Sequence, residues 1–250
     1  MDFPQAGGHG LMVKVPTTVM KPTHPSEVWF YINIHPVLRQ FMATFYMAFP
    51  VMYAAPLFSP DKLAKIVQKG YTDVLMMESL SRRDDEFGLD IKLGSVHWRG
   101  DASTELIESH KKRNEQSLTT THKFRLDGVF QTSVYSLAKD ETRNFSIDQL
   151  NSAFMCISDT TKRSLMAWIA RLIGVLSHFQ ISIYGPSILI SGSNKNPKFT
   201  LIDFTVYEIG GVNQDLIEGL TSFQQFLINH IEFCKPPVLP PLDLDLDSLE

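Results

Sequence analysis

Charged side chains interrupt apolar, strand-like runs at three places in this sequence. They are Lys21 after "TTVM", Asp90 and Lys92 within "LDIKLG", and Asp203 within "TLIDF". A buried charge is costly unless it is paired, and a salt bridge at a strand end would account for any one of these taken singly. Together they match the needs of phosphoryl transfer: a lysine to hold nucleotide phosphates, a carboxylate to hold Mg²⁺, and a second cation to meet charge on the moving group or its acceptor. In an extended chain Asp90 and Lys92 share one face, while Leu89, Ile91 and Leu93 share the other. An exposed ion pair of that kind would contribute only ~0–1 kcal/mol. No Walker loop is present, because "GGHG" at residues 7–10 lacks the Lys-Ser/Thr ending.

The elements that must position these residues follow from pattern. "LMVKVPTTVMKP" predicts a hairpin, with Val13 and Val15 on one arm and Val19 and Met20 on the other. Pro25 opens a helix carrying Glu27, Phe30, Tyr31 and Ile34. His35-Pro36 begins a second one, in which Leu38, Phe41, Met42, Phe45 and Phe49 recur at helical spacing. That run, uncharged from Phe41 to Phe58, approaches the length of a membrane span. Pro50 and Pro56 break it, which predicts a core helix followed by a buried loop. "YTDVLMMESL" and "EFGLDIKLG" read as strands around an exposed turn, "SRRDDEFG". "DASTELIESHKKRN" reads as a helix with Asp101 as N-cap and a basic last turn. "FRLDGVFQTSVYSL" is strand-like, and Leu165, Met166, Ile169, Leu172, Ile173 and Leu176 form one apolar helical face. "PSILIS" and "FTLIDFTVY" predict a hairpin around "GSNKNPK", and "DLIEGLTSFQQFLINHI" a closing helix. The Pro-rich, then acidic tail reads as disordered. The order is an α+β pattern.

Composition narrows the function classes. A chain of 250 residues forms one large domain or two lobes sharing a cleft. It buries enough apolar surface to need no disulfide support. Its two cysteines, Cys156 and Cys234, have no paired or metal-like spacing, which fits a reducing compartment. The start "MDFPQAGGHG" lacks the basic and apolar regions of a secretion signal. A net charge of −4 argues against coating DNA or RNA, so an anionic ligand must be met by a local basic site.

"LDIKLG" resembles the P-x-x-x-D-x-K-x-G signature of the inositol polyphosphate kinase family. Other segments resemble that family's motifs in the same order. "QAGGHG" is similar to its Q-x-x-G-H, "VMKP" with "SEVWFY" to its nucleotide lysine and E-x-x-F-Y helix, and "LMMESL" to its hinge. "GSVHWRGDAS" is similar to the strand-to-helix passage beyond the signature and "FRLDG" to G-F-R-hydrophobic-x-G. "YGPSILI" is similar to the S-S-L-L strand, "LIDFTVY" to I-D-F-A-H, and "GLTSFQQFL" to the terminal helix. Within the family, the compact length and "SVHWRGDAS" look most like the multikinases.

The resemblance implies a two-lobed kinase-like α+β fold with an ATP cleft between the lobes. It divides the chain into an N-lobe at 1–77, a C-lobe at 78–235 with an inositol-phosphate helix near 101–114, and a tail at 236–250. It also implies roles. Lys21 contacts the ATP phosphates with Glu27 as its partner, and Glu78 and Leu80 offer backbone groups to adenine. Asp90 hydrogen-bonds the ribose, Lys92 faces the transferred phosphoryl group and the inositol hydroxyl, and Asp203 binds Mg²⁺. Lys111, Lys112 and Arg113 have two readings: offsetting the helix dipole, or binding the acceptor, with Arg113 nearest a family ligand position and Lys112 beside it.

Three departures stand out. Glu86 replaces the signature proline, Leu106 stands where multikinases often carry a lysine, and Val206 stands where I-D-F-A-H has histidine. The expected activity is ATP- and Mg²⁺-dependent phosphorylation of an inositol polyphosphate hydroxyl. The expected protein is a monomer without a membrane span, cytoplasmic or nuclear. The alternatives are a catalytically weak ATP- or inositol-phosphate-binding scaffold and a hexakisphosphate kinase of the same family.

Overall fold

The computed structural model describes residues 11–15, 17–80, 86–131, 135–137 and 139–233. The "QAGGHG" motif, most of "SRRDDEFG", Cys234 and the tail lie outside them. Four strands build a first antiparallel sheet: β1 (Val13–Val15), β2 (Thr18–Thr23), β3 (Phe45–Pro50) and β4 (Asp73–Glu78), in the order β1-β2-β4-β3. The predicted hairpin is β1–β2, with Val15 opposite Thr18. Next come β5 (Phe87–Leu93), β6 (Phe124–Gln131) and β7 (Tyr135–Leu137), then β8 (Ile181–Ile183), β9 (Ser187–Ser193), β10 (Asn196–Ile202) and β11 (Tyr207–Ile209). The second sheet has the order β10-β9-β5-β6-β7, and β8 pairs with β11. β5 is thus central, flanked by β9 and β6, which is why its residues are almost all buried.

The helices are α1 (Pro25–Asn33), α2 (Pro36–Arg39), α3 (Val51–Ala54), α4 (Pro60–Gln68), α5 (Thr104–Glu115), α6 (Thr119–His122), α7 (Lys139–Thr142), α8 (Ile147–Ala153), α9 (Asp159–Leu176) and α10 (Gln214–Phe233). α9 buries Leu165, Ile169, Leu172 and Leu176, the face its spacing predicts. It packs on α10, whose Leu216, Leu220, Phe223 and Leu227 are also buried. One apolar core joins the sheets: Val19, Leu75 and Met77 from the first belong to the same cluster as Leu89, Ile91 and Ile188 from the second and Phe30 and Tyr31 of α1. Each such side chain stabilises the fold by roughly 1.5–3 kcal/mol.

Two expectations are corrected. The helix expected from His35 through Phe49 stops at Arg39, and Phe45–Pro50 is a strand. β3 pairs with β4, Phe45 opposite Met77 and Pro50 opposite Asp73, with a bulge between Phe45 and Met47. A run without charges carries no polar face, so its period cannot separate helix from strand. Edge pairing then decides, and an edge strand tolerates Pro50. The cap of α5 is Ser103, whose Oγ accepts the Leu106 amide at 3.3 Å, and not Asp101. Asp101 instead forms an exposed ion pair with Arg99. Among the described residues no helix is long and apolar enough to cross a membrane.

Candidate active site

A cavity of about 400 Å³ opens between the two sheets. Lys21 enters from β2, Glu27 from α1, Asp90 and Lys92 from β5, and Asp203 from the residue after β10. Lys21 Nζ lies 2.8 Å from Glu27 Oε1 and 2.9 Å from Asp203 Oδ1. Lys92 Nζ lies 3.9 Å from Asp203 Oδ2. Asp203 therefore sits between two lysines, with its side chain 41% exposed to the cleft.

Glu27 holds this arrangement from below. It is fully buried, accepts the Thr23 hydroxyl, and accepts the Phe204 amide at 3.3 Å. Ser26 Oγ donates to the Thr205 carbonyl at 2.8 Å, and the Phe30 ring stacks on Phe204 at 4.5 Å. The start of α1 thus clamps the segment carrying Asp203. Asp203 has φ +67°, in the left-handed region that few non-glycine residues occupy. Strained conformations of this kind persist where the surroundings over-determine them, and they cluster at functional sites.

The charges shift one another. Burial alone would lower the Lys21 pKa, but Asp203 and Glu27 carry it well above the usual value. Burial disfavours the Asp203 carboxylate, yet Lys21 and Lys92 hold it well below the usual range. Lys92 is lowered, by burial above all. Asp90 is pushed up to about 7 by burial and by the carboxylates of Asp127 and Asp203, against Lys92 and a Ser187 hydrogen bond. Its Oδ1 is buried without a hydrogen-bond partner. An unsatisfied buried oxygen facing a cavity is costly, and a ligand donor would relieve it.

Not every expected residue reaches the cavity. Leu80 lines it, whereas the Glu78 carboxylate turns away to accept the Thr44 hydroxyl at 3.0 Å. Arg113 lines it, while Lys111 and Lys112 are exposed on α5, outside its lining. The cavity also contains residues the sequence reading did not single out: His97, His110, Asn114, Arg125, Asp127 and Lys139. Arg125 and Asp127 alternate within "FRLDG" as Asp90 and Lys92 do within "LDIKLG", so the same strand periodicity signals them. Lys139 and His97 carry no local signal.

The chain matches the family model "Inositol polyphosphate kinase" over residues 74–228. It belongs to the inositol polyphosphate kinase family. Among solved structures, the inositol phosphate multikinase Ipk2 of S. cerevisiae in complex with ADP and Mn²⁺ aligns with TM-score 0.68 and 17% identity, over 86% of this chain and 99% of that one. A structure from studies and protein engineering of inositol phosphate multikinase aligns with TM-score 0.50 and 21% identity, over 62% of this chain and 84% of that one. These likenesses show the fold, a kinase-like α+β architecture. No curated protein sequence matches the chain.

In this member of the family the strand that resembles the signature is β5, which carries Asp90 and Lys92 into the cleft. Of the departures, Val206 lines the cavity and Leu106 is 46% exposed on α5. The donor set suits a Mg²⁺ ion shared with nucleotide phosphates. Among the described residues no group of three His, Cys, Asp or Glu side chains forms a metal cage. Mg²⁺ ordinarily needs only one or two carboxylates beside phosphates and water, and the half-open Asp203 carboxylate could supply one.

Proposed function

We propose that the chain transfers the γ-phosphoryl group of ATP to a hydroxyl of an inositol polyphosphate. The observation that carries this reading is Asp203, held at φ +67° between Lys21 and Lys92 at the mouth of the cleft. In it, residues 1–77 form the N-lobe and 78–235 the C-lobe, with the nucleotide between them. Lys21, fixed by Glu27, holds the nucleotide phosphates. Backbone groups of Glu78 and Leu80 meet adenine. Asp203 holds Mg²⁺, which when bound neutralises charge on the phosphates. Lys92 faces the transferred group and the attacking hydroxyl.

Asp90 is assigned, by family resemblance, to the ribose. Arg113, on the cavity wall, is the acceptor-binding cation of α5, and Lys112 stands beside it toward solvent.

The test is a panel of inositol phosphates incubated with labelled ATP and Mg²⁺. Transfer to at least one acceptor is expected, and Lys92→Ala should lower kcat by about 100-fold or more with the KM for ATP little changed. Val206 on the cavity wall and the exposed Leu106 favour a second reading, a nucleotide- or inositol-phosphate-binding scaffold. That reading is upheld, and the enzyme reading lost, if ATP raises the melting temperature yet no acceptor is phosphorylated.

A further inference from the structure

β5 and β6 pair in register until the ladder slips: Asp90 faces Gly128, and Ile91 faces Leu126. Asp127 is the extra residue on β6 at this bulge. A bulge leaves one residue without a cross-strand partner and re-aims side chains, often beside an active site. Here the extra residue is a carboxylate on the cavity wall, 2% exposed. Its two oxygens hold two cations. Oδ1 accepts Arg125 Nε at 2.8 Å, and Oδ2 lies 2.5 Å from Lys139 Nζ. Arg125, itself 5% exposed, also donates to Thr119 Oγ1 at 3.0 Å.

A pocket for a heavily phosphorylated ring would keep its cations free, since each phosphate monoester brings about −1.5 to −2 charges. Among the described residues, the cations lining the cavity beyond the Lys21–Asp203 cluster are Lys14, Lys92, Arg113, Arg125 and Lys139. Asp127 engages two of them. The two histidines add no charge at neutral pH. Burial, then Lys92 and Arg125, push His97 down to about 2, and burial, then Arg113, push His110 to about 4. Val206 adds none either.

Resting on the kinase reading above, we infer that Asp127 determines acceptor specificity: it makes the pocket select an inositol ring with few phosphates and several free hydroxyls. By engaging Arg125 and Lys139, Asp127 leaves fewer cations free to meet phosphates, and its remaining lone pairs accept hydrogen bonds from ring hydroxyls. Leaving a competing ligand's charges unpaired is one way that sites reject it.

The experiment compares kcat/KM for an inositol trisphosphate and an inositol pentakisphosphate, with ATP and Mg²⁺, in three proteins. The wild type should favour the trisphosphate by about tenfold or more. Asp127→Asn should move that ratio about tenfold toward the pentakisphosphate. Lys139→Met, at a side chain 36% exposed, should move it the other way and decides the matter if the Asn variant does not fold. A wild type that prefers the pentakisphosphate overturns the inference, as do variants that slow both acceptors equally. If ATP binds and neither acceptor is phosphorylated, the kinase reading has failed separately. Calorimetric titration with the same two compounds then reads the same ratio, with the same shifts expected and the same results overturning the inference.

Discussion

Lys21 Nζ and Asp203 Oδ1 lie 2.9 Å apart across the cleft, 182 positions apart in the chain. The contact joins β2 of the first sheet to the end of β10 in the second, and α1 braces both sides through Glu27, which accepts from Lys21 and from the Phe204 amide. A charged bridge between two sheets, open to a cavity, is an arrangement that a nucleotide phosphate and its cation can enter.

Asp203→Asn tests the metal assignment. Asparagine is one of the few residues that tolerate a left-handed backbone, so the variant should fold, though it should melt below wild type at neutral pH because the attraction of Lys21 and Lys92 for the carboxylate is lost. Turnover should fall by about 10²–10³-fold or more. Wild-type rates at saturating Mg²⁺ would remove Asp203 from the metal site.

Asp90→Asn should trade activity for stability. The folded protein holds the Asp90 proton up to about 7, whereas an unfolded aspartate loses it near about 3.9. Between these values the folded state binds more protons, so this group's contribution lowers stability as pH rises. The variant should therefore melt above wild type at pH 8, with the gap closing as pH falls from about 7 toward about 4. Thermal melts across that range check it. A gap independent of pH would show that the buried carboxylate carries no such penalty. In kinetics, a raised KM for ATP supports the ribose contact.

Glu27→Ala should destabilise the protein by about 2–4 kcal/mol in urea unfolding. The change removes an acceptor from Lys21, the Thr23 hydroxyl and the Phe204 amide, all around a fully buried site. The KM for ATP should rise as well, because Lys21 loses one of its two anchors. A loss below about 0.5 kcal/mol, within the range of an ordinary surface change, would contradict this account.

On α5, Arg113→Ala should raise the acceptor KM about tenfold, the scale of one charge-assisted hydrogen bond. Lys112→Ala should leave it unchanged, since Lys112 is exposed outside the cavity lining. Leu106 shares a helical face with His110 and Arg113, so Leu106→Lys should lower the acceptor KM with the ATP value unchanged. Steady-state rates at saturating ATP distinguish the three, and equal effects of Arg113→Ala and Lys112→Ala would point to the helix dipole.

The sequence by itself determined the parts whose signal is local. Charges inside apolar strands marked Lys21, Asp90, Lys92 and Asp203, because a strand's alternation fixes which residues share a face. The α9 apolar face follows from a 3.6-residue period in the same way. The tertiary structure alone decided three other matters. Phe45–Pro50 became a strand because β4 offered it an edge, a partner no local period records. Asp127 met Lys139, twelve positions on in the chain, only when α7 packed against β6. The Asp90 carboxyl rose to about 7 through burial and through Asp127 and Asp203, residues that reach it only in the folded chain. Local periodicity says which way a side chain points on its own element. Its partner, its burial and hence its charge are set by segments that are distant in sequence and meet only when the sheets assemble.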